Sequence, residues 1–245
     1  LFQEITSPLD QFEVRDILNL EVLSGNFHLS LTNIGFYLTI GALIILISSI
    51  VATNYNKLVS NNWSIAQESL YVTIHNIVTS QINPRNGQIY FPFMYTLFVF
   101  ILINNLIGMV PYSFASTGHF ALTFALSFTI VLGATILGFS KHGLKFFSLL
   151  VPAGCPLPLL PLLVIIEFIS YLARNVSLGL RLAANITAGH MLLSILSGFV
   201  YNIMNSGLIF FVIAFSGLEL AIAFIQAQVF VVLSSSYIKD GLDLH

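Results

Sequence analysis

Charge is scarce in this 245-residue chain: Asp, Glu, Lys and Arg together make up 7% of it, against roughly 25% in a typical soluble domain. So few charges leave nothing to solvate the surface of a folded soluble protein, and that class is excluded. A formal net charge of -2 supplies no basic patch, so nucleic acid is excluded as a partner. Cys155 is the single cysteine, which rules out an internal disulfide and a thiolate metal site. A Gly-rich phosphate loop ending in Lys-Ser/Thr is missing, and so is a paired-histidine zinc helix. The six histidines have no ligand spacing, and no serine has a histidine and an acid beside it. Catalytic residues, metal and cofactor are therefore not expected. The chain also lacks an internal repeat, a low-complexity segment and a secretory signal. Residues 1–31 carry Glu4, Asp10, Glu13, Asp16 and Glu21 against Arg15 alone, without a basic start and an apolar core. They are expected to form a polar tail. Because the first residue is Leu1, a preceding piece is expected, either removed or lying outside this sequence.

Apolar residues are what the chain has, at 57%, and they fall in stretches long enough for a bilayer, which takes about 20 residues. Spans are expected at about 33–53, 91–110, 120–139, 157–200 and 205–238, making residues 32–245 one all-α integral membrane domain in lipid. The run Val151-Pro-Ala-Gly-Cys-Pro-Leu-Pro-Leu-Leu-Pro161 breaks helices. As one helix, the fourth stretch would measure about 66 Å at 1.5 Å per residue, twice the hydrocarbon thickness. It must bend back or tilt steeply. Residues 60–81 differ: Trp63, Ala66, Leu70, Thr73, Ile74 and Ile77 recur at helical spacing among Gln67, Glu68, Asn76 and Ser80, as in an amphipathic helix on a membrane surface. Lys57 and Arg85, Lys141 and Lys145, and Lys239 share one side if there are five crossings. That is the positive, cytoplasm-equivalent side.

Five ionisable residues lie inside these stretches: Glu167, Arg174, Arg181, His190 and Glu219. A charge at membrane depth costs at least a few kcal/mol and faces a partner or a wet cavity. At 100° per residue with Arg181 as zero, Arg174, Glu167, Ser177 and Asn185 all fall within about 40° of it, on one stripe. His190 falls on the opposite face, where Glu219 of the last helix could meet it. Gln226 lies one heptad after Glu219, on the same stripe. Blander roles exist for most of these. Arg174 could simply neutralise Glu167, a structural charge pair. His190 alone fits a hydrogen-bonded core histidine, and Asn185 and Gln226 fit interhelical amide glue. Arg181 resists such a reading, because positions 177, 178, 184 and 185 offer no acid one turn away. Its counter-charge has to come from elsewhere, including another chain. Ser177, Gly179, Ala183, Ala184, Ala188 and Gly189 around it permit close approach of another helix, within this chain or outside it.

Ser177-Leu-Gly-Leu-Arg181-Leu-Ala-Ala-Asn185-Ile-Thr-Ala-Gly-His190 resembles the signature of subunit a of F-type ATP synthases, the membrane stator of the proton motor. Pro152 to Glu167, Tyr90-Phe-Pro92, Asn105-Leu-Ile-Gly-Met-Val-Pro111-Tyr and Gln226 resemble the family too, so nearly the whole chain is covered. The histidine after Ala188-Gly189, paired with Glu219, is similar to the mitochondrial version, and Ser7-Pro-Leu-Asp-Gln-Phe12 and the terminal Leu-Asp-Leu-His245 look fungal. The resemblance implies one transmembrane helix, a surface helix, a transmembrane hairpin and two long, steeply tilted helices against a ring of c subunits. It implies two aqueous half-channels to and from the ring carboxylates, and the mitochondrial inner membrane as location. The N-terminus would lie on the intermembrane-space side and the C-terminus in the matrix. Other stator subunits, the peripheral stalk among them, are implied as partners.

On that resemblance Arg181 is expected to meet the deprotonated ring carboxylate, His190 and Glu219 to relay protons on the intermembrane side, and Glu167 to act on the matrix side. Asn185 and Gln226 would position Arg181 or hold water. The alternatives are a self-contained proton or ion antiporter, which should show paired broken helices, and a structural subunit without a proton path.

Overall fold

The computed structural model describes residues 10–21, 28–53, 61–110, 113–151, 159–203 and 206–242. Lys57, Pro111, Cys155 with the prolines of 152–158, and, of the fungal-like residues, 7–9 and 243–245 lie outside the described residues.

Six α-helices account for most of the described chain: α1 Asn33–Ala52, α2 Asn62–Ile82, α3 Pro84–Gly108, α4 Phe120–His142, α5 Leu160–Ile203 and α6 Ser206–Leu242. Five of them contain stretches long and apolar enough to cross a membrane: Asn33–Ala52, Gly87–Gly108, Phe120–Ser148, Leu160–Val200 and Ile209–Leu242. These overlap the five expected spans, and α2 contains no such stretch. Local chemistry sets several bounds. Thr32 caps α1, its hydroxyl accepting from Gly35 N at 3.5 Å. Asn83, with φ 101°, turns the chain between α2 and α3, a conformation Asn tolerates. Pro84 then opens α3 seven residues before the expected start, because the first helical position needs no N–H. Helix α4 runs past the expected Phe139 to Lys141 and His142, cations that suit a helix C-terminus. Gly143, with φ 55°, ends it. Helix α5 is one continuous element of 44 residues, so the bend left open by its length does not occur between Leu160 and Ile203.

Part of the expected polar tail is ordered. Strands β1 Asp16–Glu21 and β2 His28–Thr32 pair antiparallel. Asn33 N then bonds Arg15 O at 3.0 Å, and its side-chain amide donates to Glu13 O at 2.9 Å. The N-terminal segment is thereby tied to the start of α1.

The helices contribute to two compact units. The first comprises residues 1–67, 99–119 and 183–227. Its core includes Ile101, Leu102, Ala183, Ile186, Ala223 and Ala227. Gly41 of α1 admits Asn104 of α3, since a Cβ there would stand 2.8 Å from Asn104 Oδ1. The side-chain amide of Asn105 reaches across to Ala223 O of α6 at 3.4 Å. The second unit comprises residues 68–98, 120–182 and 228–245. In it α4 packs closely on α5 at Gly179, where a Cβ would meet Thr123 O at 3.1 Å. It packs on α6 at Gly241, where the obstacle is Ala134 O at 2.9 Å. Such small residues let apolar helices approach where no hydrophobic force drives them together. The buried hydroxyls of Ser234 and Ser235 donate to Phe230 O and Val231 O of their own helix at 2.6 and 2.8 Å, so these polar groups are satisfied within the last span. On α2 the buried side is Ile74, Val78 and Ile82, while Trp63, Ala66 and Thr73 of the expected stripe stay exposed.

Candidate functional site

In the first unit, α5 brings Asn185, Gly189 and His190 against Glu219 and Gln226 of α6. Glu219 is buried at 5% exposure, and neither carboxylate oxygen has a hydrogen-bond partner among the described residues. His190 approaches it, with Nδ1 3.9 Å from Oε1. That is too long for a direct hydrogen bond and short enough for one proton transfer through a small shift or one water. The approach depends on Gly189, because a Cβ there would stand 2.6 Å from Glu219 Oε1.

Beside this pair lies a cavity of about 330 Å³. Asn185, Glu219 and Gln226 supply its polar lining, among apolar neighbours that include Leu193, Phe215 and Ile222. The walls are mostly apolar, but an unpartnered buried carboxylate beside two amides offers the two to four polar partners that a water needs. Three of the six expected proton-pathway residues thus share one cavity, and a fourth, His190, flanks it.

The remaining two lie in the second unit. Helical phase put Glu167 and Arg174 on one stripe, and the structure joins them: Arg174 donates to Glu167 Oε1 at 3.2 Å. Asp240 of α6 approaches the same guanidinium at 3.9 Å. Tyr171 and Tyr237 stand within electrostatic reach of Arg174 and Asp240. The sequence reading missed Asp240, although a signal was present. At 100° per residue it lies about 60° from Glu219 around α6, on the stripe shared with Gln226.

Arg181 is exposed. Among the described residues it makes no ion pair and no hydrogen bond, while Arg174 nearby takes both acids. Tyr237 of α6 lies within electrostatic reach of Arg181. The sidedness of α5 is sharp. Asn175, Leu178, Gly179, Leu182, Ala183 and Ile186 are buried, whereas Arg174, Ser177, Arg181, Ala184 and Ala188 are exposed. The small residues noted in the sequence therefore divide. Gly179, Ala183 and Gly189 serve packing within the chain, and Ser177, Ala184 and Ala188 flank Arg181 on the open side.

A family model described as ATP synthase A chain matches residues 35–239. The chain is similar to ATP synthase subunit a of Neurospora crassa, with 76% identity over 251 residues that cover 99% of this chain and 96% of the relative. The subunit a of Podospora anserina is 74% identical over 250 residues, 98% of this chain and 95% of the relative. That of Eremothecium gossypii is 48% identical over 251 residues, again 98% and 95%.

Proposed function

The chain belongs to the ATP synthase subunit a family, and from that premise we propose how this proton-translocating stator subunit of the membrane motor divides its work among its residues. It is a non-catalytic membrane subunit; ATP is made elsewhere in the complex. Its fungal relatives and its five apolar helices place it as a multi-pass protein of the mitochondrial inner membrane. The basic residues at Lys141, Lys145 and Lys239 support a matrix-side C-terminus, and the acidic N-terminal segment an intermembrane-side start.

Arg181 faces a ring of c subunits and meets each ring carboxylate after it has lost its proton. A permanent guanidinium charge favours the ionised carboxylate and blocks direct passage between the two half-channels. Protons reach the ring through His190 and Glu219, with Asn185 and Gln226 holding water in the cavity they line. They leave past Glu167, to which Asp240 and Arg174 are added here as the charged group around the outlet. Each charge crossing 100 mV releases about 2.3 kcal/mol, so several protons drive each ATP. The two over-long helices suit a steep tilt along a ring, and α2 suits the membrane surface. Peripheral-stalk subunits complete the stator.

The observation that carries this reading is the exposed, unpaired Arg181 flanked by Ser177, Ala184 and Ala188 on the side of α5 opposite its buried face. In a Cys155→Ser background, Ala184→Cys is expected to cross-link to a small hairpin subunit in the assembled complex. Leu182→Cys, on the buried side at 1% exposure, is expected not to. Equal cross-linking from both positions refutes the assignment of the face. The antiporter alternative is not favoured; it requires proton exchange by the isolated chain in vesicles.

A further inference from the structure

The N-terminal segment enters the histidine site. Phe12 closes a short 3-10 turn, Asp10–Phe12, and its ring stands edge-to-face against two imidazoles, His190 at 6.3 Å and His119 at 6.5 Å between centroids. All three residues belong to the first unit. The seat for the ring is built. Gly118 lacks the side chain that would obstruct it, since a Cβ there would lie 3.0 Å from Phe12 Cε1 and 3.3 Å from Thr187 Oγ1. Thr187, one turn before His190 on α5, donates its hydroxyl to Gly118 O at 3.0 Å, which clasps the loop to the helix. Ser116, Thr117 and Gly118 are buried in that loop. On the far side His119 stacks on Phe114 at 5.0 Å, and Phe114 leans on Tyr37 of α1 at 6.0 Å. The Phe12 ring is thus wedged between α5 and an aromatic buttress that extends to α1.

From this arrangement we infer that Phe12 is a positioning residue of the proton path, a lid that holds the His190 imidazole toward Glu219 and screens its other edge from water. The inference rests on the relay role given to His190 above. The geometry of the imidazole gives the lid its purpose. Nδ1 faces Glu219 at 3.9 Å, while buried Nε2 has no hydrogen-bond partner among the described residues. Nε2 lies beside Gly108, where a Cβ would come within 3.7 Å of it. With the ring in place, the paths open to a proton on His190 run along the imidazole and not around it. The titratable groups that these contacts place around His190 are Glu219 from α6 and, across the ring, His119 from the loop before α4. From α3, Gly108 comes close to His190. Burial pushes the His119 imidazole down from its ordinary value, and of the two imidazoles it is His190 that approaches the Glu219 carboxylate.

Phe12→Ala and Phe12→Val both remove the ring, and Phe12→Tyr keeps it. Each is compared with wild type and with His190→Gln in inner-membrane vesicles, at equal amounts of assembled complex. The readouts are proton-driven ATP synthesis and its dependence on intermembrane-side pH. The ring-deleting variants are expected to lose about tenfold in rate, as misplacing a reacting group does, with a displaced pH profile. Phe12→Tyr is expected to follow wild type in both. Wild-type rate and pH profile in either ring-deleting variant overturn the lid if His190→Gln is slow in the same vesicles. An unimpaired His190→Gln instead overturns the relay reading itself. If Phe12→Ala fails to assemble, Phe12→Val decides.

Discussion

Glu219 Oε1 stands 3.9 Å from His190 Nδ1, and the residue that permits this is the one before the histidine. Gly189 gives up a side chain so that a buried carboxylate can rest against α5 with both oxygens free. Gly189→Ala places a methyl where Oε1 now lies. The obstacle is the end of a flexible side chain and not backbone, so the helices need not part. Assembly is expected at wild-type level, with proton-driven synthesis reduced about tenfold or more as the carboxylate turns from His190. Quantifying assembled complex beside ATP synthesis checks this, and a fully active alanine variant contradicts it.

Glu219→Gln keeps the shape and removes the proton site. The amide supplies donors as well as acceptors to the cavity, so folding is expected to survive and the slow step to become proton uptake. Proton flux through the assembled complex is expected to fall about a hundredfold, the scale at which a positioned acid or base contributes. Unchanged flux would remove Glu219 from the path.

Arg181→Ala deletes the unpaired charge. Because no acid among the described residues pairs with Arg181, assembly is expected to persist. Coupled ATP synthesis is expected to vanish, with a passive proton leak in its place, measured as dissipation of an imposed pH gradient. Normal coupled synthesis would sink the gate assignment.

Arg174 gives the contrast. Its side chain is 46% exposed, and those of Glu167 and Asp240 are 38% and 33% exposed, so solvent screens both pairs. Exposed pairs contribute about 0–1 kcal/mol, and Arg174→Gln is expected to change thermal stability little. Two uncompensated carboxylates at the outlet should instead alter proton release. A severalfold change in turnover is expected, with a weaker dependence on salt than in wild type. Turnover and salt dependence identical to wild type would make the cluster idle.

Helical phase carried far in this chain. It set Glu167 beside Arg174, put His190 on the side of α5 that meets Glu219, and left Arg181 without an acid on its own helix. Each is a relation along one helix or between two stripes, which periodicity encodes directly. Asp240 escaped because it stands beside Lys239 at the end of a span, where a charge needs no explanation. Phe12 escaped for another reason. A phenylalanine in an acidic tail has no period to betray it, and its neighbours come from 107 to 178 positions away. The hairpin was more legible in hindsight. Leu29 and Leu31 alternate with polar residues in β2, a period of two that the charge of the tail obscured. On α2 the expected stripe and the buried one lie side by side, because Ile74 belongs to both.

The sidedness of α5 has a mechanical consequence. If the rotor pushes on Arg181 as proposed, it applies a lateral load to a helix where that side chain has no ion pair among the described residues. The reaction has to be taken across the helix by Leu178, Leu182 and Ile186, each at most 2% exposed. Their resistance comes from close-packed shape and not from charge. The stiffness of this bearing should therefore be indifferent to salt and pH, even where proton traffic is not. Leu182→Ala is expected to make the motor slip under load while leaving unloaded proton flow intact. A wild-type torque in that variant would show that the thrust is borne elsewhere.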